Sequence, residues 1–246
     1  MIGAHATDDL LVSVVIPVLN DVPALEAQLS TLDRSPACEV IVVDGGTEDE
    51  DGMRRLRSRF GDVRWQQSPP GRARQMNEGA GRARGTWLLF LHADTRLTAG
   101  WLEELRRADA DPQTIGGSFS FRLDSGARWA RWIERGVSVR VHLFGLSYGD
   151  QALFVRREVF HAMQGYRDIP LMEDVDFARR LRRMGRILRS TMAAVTSARR
   201  WEQEGWLRRS ASNVVLVLLF LAGVPPVRLA RLYRPRPDRR ASVPDE

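Results

Sequence analysis

The sequence predicts an α/β fold: a mostly parallel central sheet with helices on both faces. Three observations predict it. Short Val- and Ile-rich runs at 11–18 and 39–43 read as strands buried on both sides, each is followed by apolar residues at helical spacing, and the joints carry Asn, Asp and Gly.

The run 11–18 is too short to span a membrane and forms the first strand. Asn20, Asp21 and Pro23 then supply helix-start chemistry, and Leu25, Leu29 and Leu32 fall on one helical face. A second strand at 39–43 passes through Asp44-Gly45-Gly46-Thr47 into a helix with Met53, Leu56 and Phe60 aligned. A short third strand at 63–66 leads through Pro69-Pro70-Gly71 to a helix over 72–83, and 87–91 is a fourth buried strand. After about residue 115 the pattern becomes mixed. Residues 116–123 alternate as a half-exposed strand, Trp129, Trp132 and Ile133 predict an amphipathic helix, and 152–155 a strand. A helix over 174–184 ends at Gly185, and a last one over 206–222 stops at Pro225-Pro226. The expected organisation is an N-terminal extension (1–10), one α/β domain (11–205), an amphipathic helical segment (206–233) and a disordered tail (234–246) rich in Pro and Arg.

A chain of 246 residues fits one large domain, and 43% hydrophobic against 28% charged residues place it among soluble globular proteins. All 37 basic residues are arginine, so every side-chain cation other than histidine is a permanently charged guanidinium. The net charge of +6 suits a phosphate-bearing ligand, an anionic membrane or nucleic acid, and does not choose among them. A single cysteine, Cys38, excludes an intrachain disulfide and fits a reducing compartment. Residues 1–9 lack a basic start, so no secretory signal is expected and a cytoplasmic location is.

Ligands of open α/β sheets collect at the carboxyl ends of the strands. Four such ends are polar: Asn20-Asp21, Asp44-Gly45-Gly46-Thr47, Arg72 with Arg74, and His92-Ala93-Asp94. The turn after the first strand, Ile16-Pro17-Val18-Leu19-Asn20, has no glycine, which disfavours a dinucleotide site and a nucleotidyltransferase phosphate loop. His92 and Asp94, two apart in an extended segment, point to one side; Asp94 is a hard ligand for Mg2+ or Mn2+, or else a helix cap. Arg72 and Arg74 stand at a helix start that already favours anions, or form a solvated basic face. Glu173, Asp174 and Asp176 offer a general base, with paired like charges raising one pKa, or an acidic first helical turn.

Taken together, Val14-Val15-Ile16-Pro17-Val18-Leu19-Asn20, Val42-Val43-Asp44-Gly45-Gly46-Thr47, Gly71 to Gly79, Leu89-Phe90-Leu91-His92-Ala93-Asp94 and Met172-Glu173-Asp174 resemble the family-two inverting glycosyltransferases, over residues 12 to 201. More narrowly the chain is similar to small transferases associated with radical-SAM and selenodomain gene clusters. The resemblance implies a GT-A type fold, a nucleoside-diphosphate sugar of UDP or GDP type, Mn2+ or Mg2+, and a hydroxyl acceptor that is lipid-linked or a small molecule, with no nucleic acid. It implies nucleotide contacts from Pro17, Val18, Asn20, Asp44, Gly45, Arg72, Arg74, Asn77, His92 and Ala93. Asp94 matches the metal-contacting second acid of an Asp-x-Asp motif; His92 replaces the first, and imidazole can bond ribose or ligate the metal. Asp174 matches the general base and Glu173 its orienting neighbour. Gly149, Asp150 and Gln151 resemble a loop under donor sugar and acceptor, or are a plain turn. Arg199-Arg200-Trp201 resembles an Arg-Trp segment beside diphosphate and acceptor, or Trp201 is structural. A non-catalytic nucleotide-sugar-binding or scaffold subunit of the same fold remains the alternative.

Residues 214–224 form an apolar run too short to cross a bilayer. Flanked by Arg208, Arg209, Arg228 and Arg231, it suits peripheral contact with the inner membrane face, a homodimer contact, or burial against the sheet.

Overall fold

The computed structural model describes residues 10–144 and 149–233; the tail expected at 234–246 and all but the last residue of the extension at 1–10 lie outside the described residues. The chain opens with β1 (Val12–Val18), α1 (Val22–Thr31), β2 (Cys38–Asp44), α2 (Glu50–Arg59), β3 (Arg64–Gln67), α3 (Arg72–Arg82) and β4 (Trp87–Phe90). These four strands pair in parallel in the order β3-β2-β1-β4, as the two-sided burial of β1 and β2 requires.

The mixed half follows: β5 (Thr95–Leu97), α4 (Trp101–Asp109), β6 (Thr114–Asp124), α5 (Arg128–Phe144), a 3-10 turn (Gly149–Gln151), β7 (Leu153–Arg156), α6 (Arg157–Ala162), α7 (Glu173–Leu181) and β8 (Arg186–Ser197). The sheet continues from β4 as β7-β6-β8-β5, eight strands among the described residues, with β7 antiparallel to β4 and β6, and β5 antiparallel to β8. Three helices close the described chain: α8 (Arg199–Glu204), α9 (Trp206–Leu221) and α10 (Pro226–Leu232).

Alternation along β1 divides the core. Val12, Val14, Ile16 and Val18 face α1, α2 and α4 through Leu25, Leu29, Met53, Leu56, Trp101 and Leu105. Val15, with Ile41 and Val43 of β2, faces α3, α6 and α7 through Met76, Ala80, Phe160 and Phe177. Gly79 lets α3 lie close on the sheet, because a Cβ there would run into Val15 and Val43.

Two local readings are corrected. The segment after Asp94 is not a helix but β5, held by antiparallel pairing with β8, so Asp94 does not cap a helix there. Pro226 does not merely stop a helix; it occupies the first turn of α10, where its missing N–H costs nothing.

Candidate active site

The carboxyl ends of β1 and β2 are tied into one platform. Asp44 is 4% exposed, and its Oδ1 accepts the amides of Gly46 (3.1 Å) and Thr47 (2.9 Å), closing an Asx turn. Its Oδ2 is left facing the Arg57 guanidinium at 3.8 Å. Asn20, in the left-handed region at φ 54°, accepts the Glu48 amide (2.9 Å) on its side chain, while its own amide donates to Thr47 Oγ1 (3.2 Å). Gln75, buried on α3, donates from Nε2 to the carbonyls of Val18 (2.7 Å) and Val43 (2.9 Å). Gly45 is needed opposite it, since a Cβ would lie 3.0 Å from the Gln75 amide. Pro17 and Val18 thus end β1 on a braced edge. Gln75 was missed from the sequence; its position among the inward residues Ala73 and Met76 was the available signal.

The three expected nucleotide-contacting residues of α3 part company. Arg72 reaches across the chain to Glu173, Nη1 to Oε1 at 3.0 Å. Burial works against its charge, yet Glu173, Asp174, Tyr233 and Asp94 raise its pKa above that of an ordinary arginine. Arg74 instead pairs at the surface with Asp168 (2.8 Å). Asn77 clasps the backbone of Tyr166, donating to its carbonyl (2.8 Å) and accepting its amide (2.9 Å), so both ends of its amide are engaged in the fold.

Beyond β4, Ala93 is buried and His92 and Asp94 are half-buried. The backbone of Gly149 sits against His92 and Asp174 together: a Cβ would stand 2.8 Å from His92 Nε2 and 3.3 Å from Asp174 Oδ2. Burial, reinforced by Arg72 and Arg200, pushes the His92 pKa down to about 3, leaving a neutral imidazole. Asp174, in the first turn of α7, accepts the Gly149 amide on Oδ2 (2.7 Å) and the Val175 amide on Oδ1 (2.7 Å). Its neighbour Glu173 is 3% exposed, and burial raises its pKa against the pull of Arg72. The acid-rich helix start and the site are therefore one feature.

Asp150 joins this cluster. Its Oδ1 is buried and finds no hydrogen-bond donor among the described residues. Burial pushes its pKa up to about 6; Arg140 opposes the rise, and Asp174 and Asp94 add to it. Asp94, Asp150 and Asp174 consequently share one electrostatic field with Arg72. A carboxylate with a folded pKa above its unfolded value favours the fold below the unfolded pKa and loses that contribution as pH rises through the folded one. Asp150→Asn should therefore raise the unfolding free energy at pH 7 by about 1–3 kcal/mol and leave it little changed near pH 4. Thermal melts of both proteins across pH 4–7 check this; an equal difference at all pH values contradicts it.

Gln151 turns inward, donating to the Phe119 carbonyl at 3.3 Å. Trp201 is buried against Phe121 with ring centroids 6.1 Å apart, and its indole N–H donates to Ser210 Oγ at 3.2 Å, so it serves the core. Arg200 is close enough to depress the His92 pKa, and its Nη1 donates to the Tyr233 hydroxyl at 3.4 Å. That hydroxyl also accepts Arg209 Nη2 at 2.7 Å. Arg199 pairs with Asp21 at 2.8 Å, so α8 folds over the end of β1. Tyr233 and Arg140 carried no sequence signal, since only tertiary packing brings them here; Arg209, expected as a basic flank of the apolar run, is instead buried and paired with Glu204.

Among the described residues no three His, Cys, Asp or Glu side chains are arranged to hold a metal alone. The half-buried carboxylate of Asp94 suits a hard divalent cation that keeps waters and shares phosphate oxygens.

The model of the family described as Glycosyl transferase family 2 matches residues 13–168, and the chain belongs to that family. Over 165 residues it is 36% identical to the PGL/p-HBAD biosynthesis glycosyltransferases of Mycobacterium bovis and Mycobacterium tuberculosis, a match covering 63% of this chain and 62% of each relative. It thus spans less than two thirds of their length. Among solved structures it is similar to S. aureus TarS 1-349 in complex with UDP-GlcNAc, with a TM-score of 0.58, 15% identity, and 76% of this chain and 58% of that one covered. It is also similar to the mannosyltransferase PcManGT from Pyrobaculum calidifontis in complex with GDP-Man and Mn2+, with a TM-score of 0.63, 20% identity, and 89% and 67% covered. These likenesses show the α/β fold of GT-A type.

Proposed function

We propose that this protein is an inverting glycosyltransferase that moves a sugar from a nucleoside diphosphate, of UDP or GDP type, to a hydroxyl acceptor. The observation that carries the reading is the convergence of Asp94, Asp150, Asp174 and Arg72 where the segment after β4, the Gly149 turn and the start of α7 meet. The Pro17–Val18 edge, Asn20, Asp44 and Gly45 cradle base and ribose. Arg72 meets the diphosphate, charge to charge. Asp94 would hold Mn2+ or Mg2+, and the neutral imidazole of His92 would ligate it or bond the ribose. The cation, when bound, neutralises the leaving diphosphate. Asp174 takes the acceptor proton as the acceptor oxygen bonds to the anomeric carbon; the bond from that carbon to the diphosphate oxygen breaks on the opposite face, and the anomeric configuration inverts. Glu173, locked by Arg72, keeps the start of α7 in place. Asp150, with an unsatisfied oxygen, receives a donor-sugar or acceptor hydroxyl. Arg74, Asn77, Gln151 and Trp201 have no direct part in this reading, because their polar groups serve the fold. Within the family we place the chain with the small transferases associated with radical-SAM and selenodomain gene clusters.

The test is a donor screen with UDP- and GDP-sugars and Mn2+, read first as calorimetric binding and then as release of nucleoside diphosphate. Binding followed by release supports the reading. Binding without release, even with a broad set of hydroxyl acceptors, would make the protein a nucleotide-sugar-binding scaffold instead.

A further inference from the structure

Helix α9 is apolar on two opposite sides. Inward, Leu216 and Val217, with Leu229 of α10, cluster with Met172 and Val175, the residues flanking Glu173-Asp174. Outward, Leu207, Val214, Val215, Leu218 and Leu221 fall on one helical stripe, and each is between 39% and 67% exposed. A surface helix of a water-soluble domain turns polar residues outward; a helix apolar all round belongs in a core or a lipid phase. Neighbouring α5, which shares with α8 and α9 the cluster around Phe121 and Trp201, exposes Trp129 and Trp132. The same three helices carry exposed cations: Arg128 and Arg135 on α5, Arg208 on α9, and Arg228 and Arg231 on α10. Residues 205–233 contain no acidic side chain.

We propose that α9 and α10, with the exposed indoles of α5, dock on the surface of an anionic lipid bilayer and lie at its headgroup boundary. No helix among the described residues is long and apolar enough to cross a membrane, which fits a surface mode. Charge selects lipid over a second copy of the chain. A two-fold contact through α9 and α10 would oppose arginine with arginine and supply no carboxylate from either helix, whereas anionic headgroups supply the missing charge. The exposed indoles of neighbouring α5 suit the same boundary. Because the inner face of the helix pair holds Met172 and Val175, docking brings Asp174 close to the lipid surface. Resting on the glycosyltransferase reading, the acceptor hydroxyl then belongs to a lipid-linked molecule.

Flotation of the full chain with vesicles of phosphatidylcholine, with and without about 40% phosphatidylglycerol, tests the docking. Anionic vesicles should recover about tenfold more protein than neutral ones. Val215→Glu combined with Leu218→Glu should lower that recovery about tenfold at unchanged circular dichroism, and Arg228→Gln with Arg231→Gln should remove most of the anionic preference. Recovery that is the same with and without vesicles overturns the proposal; so does a dimer in sedimentation velocity that the two glutamates dissolve. Calorimetry with UDP and GDP on the same proteins keeps the two readings apart, since vesicle binding without nucleotide binding sinks only the enzymatic one.

Discussion

Asp174→Asn should lower turnover at saturating donor and acceptor by about 10³-fold while leaving nucleoside-diphosphate affinity within about threefold. The amide has nearly the shape of the carboxylate, and its oxygen can still accept one of the two backbone N–H groups, of Gly149 or Val175, that orient Asp174. The other N–H loses its acceptor, which costs about 1 kcal/mol and leaves the fold intact. What the amide cannot do is take a proton from the acceptor hydroxyl. Steady-state kinetics beside calorimetry separate the two effects. Turnover within about tenfold of the parent protein would mean that another group removes the proton.

The second large effect is on stability. Arg72→Ala should lower the unfolding free energy by about 2–4 kcal/mol, because it strands Glu173 in a site where only 3% of that residue is exposed. Half-exposure of the Arg72 side chain keeps the figure below that of a fully buried pair. Glu173→Gln in the same background should recover most of the loss, since a neutral amide tolerates burial that a lone carboxylate does not. A urea-denaturation double-mutant cycle measures the coupling. Additive losses would show that Arg72 and Glu173 are independent, and that the start of α7 is held by other contacts.

The first half of the fold was legible because its strands are buried on both faces and announce themselves as Val-Ile runs; the residues at their ends then had to face one crevice. The antiparallel half was harder to read. β8 carries Arg, Ser, Thr and Ala as freely as Ile and Leu, and is a strand because β6 and β5 supply its pairing partners. β5, three residues long, exists only through that pairing, which is why the segment after Asp94 reads as a helix start in one dimension. Within the site, Asp94, Asp174, Arg72 and Asp44 were visible as polar residues at strand and helix ends. Arg74 and Asn77 share a helix with Arg72 but lie on other faces of it, where Asp168 and the backbone of Tyr166 claim them. Tyr233 acts through distant partners, and nothing local in the sequence marks it, whereas Gln75 is marked only by its place among the inward residues of α3. Asp150 was visible as part of a loop resembling one under donor sugar and acceptor, or a plain turn; its unmatched oxygen is a property of the packed structure.

Whether the crevice is a cation-assisted diphosphate site is measured most directly by calorimetric titration of the parent protein and Asp94→Ala with UDP and GDP, with Mn2+ and then with a chelator. The parent protein should bind one of the two nucleotides at least about tenfold more tightly with Mn2+, and Asp94→Ala should lose that gain. Affinity for both nucleotides that is indifferent to chelation and unchanged by Asp94→Ala would contradict the account.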